Sequence, residues 1–150
     1  MSTSAIRIRA AAILLHEGRV LLVEHAKAGR HYWLLPGGGV DYGESLAEAV
    51  ARELREELHL VGTVHEPLLI NDAIDPEGGR HLVQVGFRVT LTGQGEPKLG
   101  IDPRVVGWAW HPIADLGGLE MYPAIGPQLR DLLESGDRPA ARYLGNLWKA

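Results

Sequence analysis

The chain has 150 residues, 45% of them hydrophobic, with a formal net charge of −4 and a pI near 5.9. That length suits one domain over residues 1–150 with a real core, and the acidic balance argues against a duplex nucleic-acid partner. There is no cysteine, which excludes disulfides, thiolate metal sites and cysteine nucleophiles and fits a cytoplasmic location. Residues 1–9 do not read as a signal peptide, and no run approaches the roughly 18 apolar residues of a membrane helix.

In chain order, residues 6–15 alternate and then become continuously apolar, as a buried strand would. A turn at His16–Arg19 and a second strand over residues 20–24 predict a hairpin. Residues 27–31 read as a polar loop, and Trp33–Leu35 as a short strand stopped by Pro36 and the run Gly37–Gly38–Gly39. Ser45 and Glu48 fit a capping box, starting a helix near Leu46 that runs to about Leu58. Residues 61–74 read as a strand interrupted by Pro67, and Asp75–Gly79 as a turn. Over residues 82–91, Val83, Val85, Phe87, Val89 and Leu91 face one way, with Gln84, Arg88 and Thr90 facing the other. A Gly-rich loop follows over 92–103, then a strand at 105–110, one helical turn at 112–116, an amphipathic helix over 124–133, and a tail carrying Trp148. Strands around one helix, with a second helix at the end, predict an α/β fold: a mixed sheet with a helix on each side.

The predicted helix concentrates the chemistry. At about 100° per residue, Glu53, Glu56 and Glu57 fall within an arc of roughly 100°. Leu46, Val50, Leu54 and Leu58 form an apolar stripe beside them, and Glu44, Glu48, Arg52 and Arg55 lie on the far side. Three like charges on one flank repel one another. A hard divalent cation with oxygen ligands would relieve that repulsion. Alone, the same pattern also describes a solvated acidic face.

Residues 38–60 resemble the Nudix box, G-x5-E-x7-R-E-U-x-E-E-x-G-U, where U is a bulky aliphatic residue. Gly38, Glu44, Arg52, Glu53, Leu54, Glu56, Glu57 and Leu60 occupy its defined positions; His59 stands where the family has glycine. The resemblance implies a Nudix fold, an α/β/α sandwich in which the box forms a loop-helix-loop beside the sheet. It implies that Glu53, Glu56, Glu57 and the Gly38 carbonyl hold one or more Mg²⁺ (or Mn²⁺) ions, so these groups are expected to converge on one divalent site. It further implies hydrolysis of a pyrophosphate bond in a nucleoside diphosphate linked to another moiety, with ADP-ribose, nucleotide sugars and nucleoside triphosphates all open. The alternative is a catalytically silent Nudix-like module that binds a nucleotide as a sensor.

Within that frame, Glu53 is the candidate to touch metal and orient or deprotonate the water, while Arg52 and Glu44 hold the geometry. The rival base lies outside the box, with Glu96, Asp102 and Glu120 as candidates. Gly37, Gly38 and Gly39 are candidates for close approach to phosphate or metal. Arg80 is a candidate substrate contact, and His81 beside it is the histidine placed to contact phosphate. Trp33 and Tyr32 immediately precede the box, which makes them candidates to reach the substrate. Trp108 and Trp110 share one strand face and are more simply core; Tyr122 is a further aromatic able to stack on a base. Pro76 lies 16 residues after Leu60, a spacing the family associates with ADP-ribose hydrolysis, but it also fits a plain turn. The expected partner is a small nucleotide, and the sequence leaves a homodimer open.

Overall fold

A computed structural model describes residues 5–93, 95–136 and 141–148. The first four residues of the N-terminal segment and parts of the C-terminal tail lie outside these. Strands β1 (Arg7–His16) and β2 (Arg19–Lys27) form the predicted hairpin, with Leu15 opposite Val20. Strand β3 (Arg30–Leu34) returns against β2 through a turn where Ala28 and Gly29 take positive φ. The expected loop over 27–31 is therefore mostly hairpin. Next come β4 (Gly37–Gly39), helix α1 (Leu46–Leu58), β5 (Gly62–Ile74), β6 (His81–Leu91) and β7 (Val105–Pro112). A 3-10 segment (Ile113–Gly118), helix α2 (Gly126–Glu134) and β8 (Arg142–Asn146) complete the order.

The strands form one mixed sheet in the order β3-β2-β1-β6-β5-β8, with β4 beside β1 and β7 beside β2. The pairs β1–β6 and β5–β8 are parallel; β5–β6 and β2–β7 are antiparallel. The apolar run in β1 is explained by its central place, since both of its faces are covered. Ala10, Ala12 and Leu14 pack with Val50, Leu54 and Leu58 of α1. Ala11 and Ile13 face the second core, built on Leu116, Ile125, Leu129 and Leu132 around α2. This is the expected α/β/α layering, and Trp108 and Trp110 pack against the α1-side core.

Three elements differ from the sequence reading. The glycine run is not a loop; it pairs with β1, with Arg9 opposite Gly39 and Ala11 opposite Gly37. Strand β5 continues through Pro67, absorbing it in register shifts on either side, as a proline inside a sheet requires. The tail supplies an eighth strand, paired along β5. The β1–β2 ladder covers only Leu15–Val20 and His16–Arg19. Towards the start of β1 the two strands diverge, and a cleft of about 1080 Å³ opens there.

Candidate active site

Helix α1 begins where the sequence places it because Ser45 closes a capping box. The Ser45 hydroxyl accepts from the Glu48 amide, and the Glu48 carboxylate accepts from the Ser45 amide. The helix ends at His59, whose φ of 56° and ψ of 33° are left-handed. That is the conformation glycine usually supplies. Here a histidine adopts it and its Nδ1 lies 2.9 Å from the Lys98 carbonyl oxygen, so the departure from the box keeps the cap geometry.

Arg52 organises the helix against the preceding loop. Its Nε and Nη2 donate to both oxygens of Glu44, at 2.7 and 2.9 Å. Nη2 also donates to the Gly39 carbonyl at 3.0 Å, and Nη1 to Glu53 at 2.8 Å and Glu56 at 3.2 Å. The two-oxygen pairing is the geometry for which a guanidinium is suited. Hydrogen bonds from Arg52 hold the Glu44 carboxyl down at about 2. Glu44 in turn accepts from the Asp41 amide, so helix, loop and β4 are tied together.

The glycine strand lets the carboxylates approach. A Cβ on Gly38 would lie 2.5–2.7 Å from the carboxylate atoms of Glu53, and one on Gly37 would lie 2.3 Å from the Ala10 carbonyl oxygen. The Gly37 amide donates to Glu57 at 3.1 Å. Glu57 is only 9% exposed. Burial pushes its carboxyl up to about 7, against the pull of Arg9 and the Gly37 amide. Nearby Glu53 pushes it in the same upward direction.

The expected convergence of Glu53, Glu56 and Glu57 is not preformed. Among the described residues no three acidic or histidine side chains stand as a ligand cluster. Glu53 and Glu56 are drawn to Arg52 and Glu57 to the Gly37 amide, because each charge finds the nearest donor. The donor set still fits a hard cation: oxygen atoms only, with the Glu53 carboxylate against a backbone position that has no side chain.

Gly37, Gly38, Gly39, Glu53, Glu56, Glu57, Arg80 and His81 all line the cleft, whereas Arg52 and Glu44 support it from behind. Trp33 does not reach it. Successive strand residues point to opposite faces, and Trp33 packs at the α2-side core, edge-on to His111 at 4.3 Å. Tyr32 takes the cleft position instead. Of the acids outside the box, Asp102 lines the cleft, with Arg104 bonding its carboxylate and lowering its pKa. Glu120 pairs with Arg30 at 2.5 Å beside a smaller side pocket. Glu96 is exposed and lies outside both cavities.

Two cleft residues escaped the sequence reading. Arg9 is partly buried in the cleft wall, its guanidinium donating to Gln84 and the Leu35 carbonyl at 2.7 Å each and to the Gly37 carbonyl at 3.4 Å. Burial lowers its pKa, while Glu57 and Glu53 oppose that shift. The available signal was a second arginine within the alternating start of β1, directly before its apolar run. His25 is buried with its Nε2 lacking a hydrogen-bond partner among the described residues. Burial, then Arg9 and Arg104, hold it down at about 4, so its imidazole is neutral.

A sequence model of the NUDIX domain matches residues 6–134. Putative nudix hydrolase 1 of Caenorhabditis elegans is 34% identical over 113 residues, covering 73% of this chain and 29% of that protein. An ADP-ribose pyrophosphatase of Methanocaldococcus jannaschii is 31% identical over 93 residues, covering 61% of this chain and 54% of its own length. An RNA pyrophosphohydrolase of Brucella ovis is 30% identical over 128 residues, covering 71% of this chain and 70% of that protein. Among solved structures, a MutT NUDIX hydrolase from Burkholderia pseudomallei superposes with a TM-score of 0.72 at 28% identity, covering 89% of this chain and 99% of that one. With the matched region spanning most of its length, the chain belongs to the Nudix family. It spans well under two thirds of the first two of these relatives.

Proposed function

We propose that the chain is a divalent-metal-dependent hydrolase that cleaves a pyrophosphate bond in a nucleoside diphosphate linked to another moiety. ADP-ribose, nucleotide sugars and nucleoside triphosphates form the substrate class. The observation that carries this reading is the Gly38–Glu53 contact: a side-chain-free strand residue against a box carboxylate, on the wall of a cleft that also holds Glu56, Glu57 and Arg80. The relatives named as pyrophosphatase and pyrophosphohydrolase act within the same reaction class.

Glu53, Glu56, Glu57 and the Gly38 carbonyl would hold Mg²⁺ or Mn²⁺. Such an ion neutralises charge on phosphate oxygens and lowers the pKa of an attacking water. Glu53 would accept that water's proton, a role supported by the hydrogen bond from Arg52 that orients its carboxylate. Arg80, which also lines the cleft, would supply a positive charge for the departing phosphate. Asp102 is the weaker rival, because Arg104 occupies both of its carboxylate oxygens, whereas Arg52 engages one oxygen of Glu53.

The test is a panel of these substrates incubated with Mg²⁺ or Mn²⁺, with products identified by mass. Cleavage within the pyrophosphate, abolished by a chelator, is expected. Glu53→Gln should lower kcat by about 10² to 10⁴, the usual contribution of a general base, with KM within a few-fold. Nucleotide binding with no product from any member of the panel would instead leave a silent nucleotide-binding module.

A further inference from the structure

A side pocket of about 350 Å³ adjoins the main cleft and shares Lys27, Tyr32, Arg80 and Tyr122 with it. That volume is at the lower end of small-molecule sites. Its walls are aromatic. Tyr32 and Tyr122 stand 6.2 Å apart at 72°, and Tyr122 and Trp148 stand 5.9 Å apart at 87°. Each ring meets the next edge to face, so the three form walls near right angles rather than a closed stack. The Arg80 guanidinium lies 5.7 Å over the Tyr122 ring, at the passage between the two cavities. The Tyr122 hydroxyl is buried and has no hydrogen-bond partner among the described residues.

Trp148 is brought there by the tail. Strand β8 pairs along β5, the Leu147 amide donates to the Asp72 carbonyl at 2.9 Å, and the Ala124 amide donates to the Leu147 carbonyl at 3.4 Å. Both β8 and Trp148 lie beyond the region matched by the family model, residues 6–134. This wall therefore comes from the C-terminal segment, outside the residues that the family model matches.

We infer that the Tyr32–Tyr122–Trp148 pocket takes the heteroaromatic base of the substrate, with Trp148 as its specificity-determining wall. The inference rests on the pyrophosphatase reading, and it fixes which end of a nucleotide points away from the box. A base has a flat π-face for one aromatic wall and polar edges for the Arg30–Glu120 pair that also lines the pocket. The phosphates, leaving past Arg80 and Lys27, would run towards Gly38 and the box. A base stacked on one aromatic side chain typically gains about tenfold or more in affinity.

The test is binding, measured on the full chain with Mg²⁺ present, of inorganic pyrophosphate and of four nucleoside diphosphates. At least one nucleoside diphosphate should bind at least about tenfold more tightly than pyrophosphate, the scale of one ring stack. Trp148→Ala should cancel that gain and leave pyrophosphate binding within twofold to threefold, whereas Trp148→Phe should keep most of it. Thermal unfolding of both variants separates a lost wall from a lost fold. If no nucleoside diphosphate outbinds pyrophosphate, or if Trp148→Ala preserves the preference, the pocket assignment is overturned while the pyrophosphate site stands. If pyrophosphate itself fails to bind, the functional reading fails and takes the pocket with it.

Discussion

Burial lifts the Glu57 carboxyl to about 7, so a proton and a cation compete for the same oxygens. Between the ordinary value of 4.5 and about 7, the folded chain holds a proton on Glu57 that the unfolded chain has released. Raising pH through that window therefore favours unfolding. The metal-free protein should lose roughly 3 kcal/mol from this group between pH 4.5 and 7. Glu44 acts in the opposite sense at lower pH: its depressed carboxyl loses its stabilising role as pH falls from 4.5 towards about 2. Urea unfolding in chelator at pH 5 and pH 7.5 checks the first slope, which should flatten in Glu57→Gln. That variant keeps the oxygen that accepts from the Gly37 amide and removes the titration. An unchanged slope would mean that the carboxyl is hydrated in solution. The box carboxylates were legible in the sequence because their spacing is local to one helix. Arg9, which tempers Glu57, was not: its partners Leu35, Gly37 and Gln84 are distant in sequence, and only the strand pairing assembles them.

The loop and helix of the box separate two kinds of glycine. At Gly38 an added Cβ meets the far end of the Glu53 side chain, whereas at Gly100 it would lie 2.0 Å from the Glu56 carbonyl oxygen. The first neighbour can swing away and the second is helix backbone. Gly38→Ala should therefore displace Glu53 and cut kcat by at least about tenfold, a loss of roughly 1.4 kcal/mol in transition-state stabilisation, with little change in Tm. Gly100→Ala should lower Tm clearly, because the loop after β6 must lift off the end of α1. Melting curves and turnover of the two variants decide it; a Gly38→Ala enzyme at full rate would break the link between that glycine and Glu53. At this scale α1 was fully readable, since Ser45, Glu48 and the Leu46–Leu58 stripe encode its start and its buried face. The short strands were less so. Trp33 and Tyr32 are adjacent, and a one-residue shift in a strand exchanges the faces, so the sequence cannot say which ring reaches the cleft. Nothing local marks Gly37–Gly39 or Arg142–Asn146 as strands, because their pairing with β1 and β5 is what makes them so.

Across the whole molecule, one polar row ties the site to the sheet. Arg9 on β1, Gln84 on β6 and Asn71 on β5 stand directly opposite one another in register. Arg9 donates to the Gln84 side-chain oxygen at 2.7 Å, and the Gln84 amide donates to Asn71 at 3.0 Å. Gln84 and Asn71 are wholly buried. The alternation along 82–91 placed Gln84 opposite the apolar face; it is nonetheless wholly buried, in register between Arg9 and Asn71. Such a row is costly to interrupt, because each buried group then lacks its partner. Gln84→Leu removes the acceptor of Arg9 and the donor to Asn71 together, and should cost about 2–4 kcal/mol of stability. It should also lower turnover, since Arg9 holds the carbonyls of Leu35 and Gly37 that fix the glycine strand. Asn71→Leu should cost less alone, and the double variant should cost less than the sum by at least about 0.5 kcal/mol, as coupled neighbours do. Denaturant unfolding of the three variants measures that coupling, and strictly additive losses would show that Gln84 and Asn71 act independently, leaving the catalytic loop held by Arg52 and the box alone.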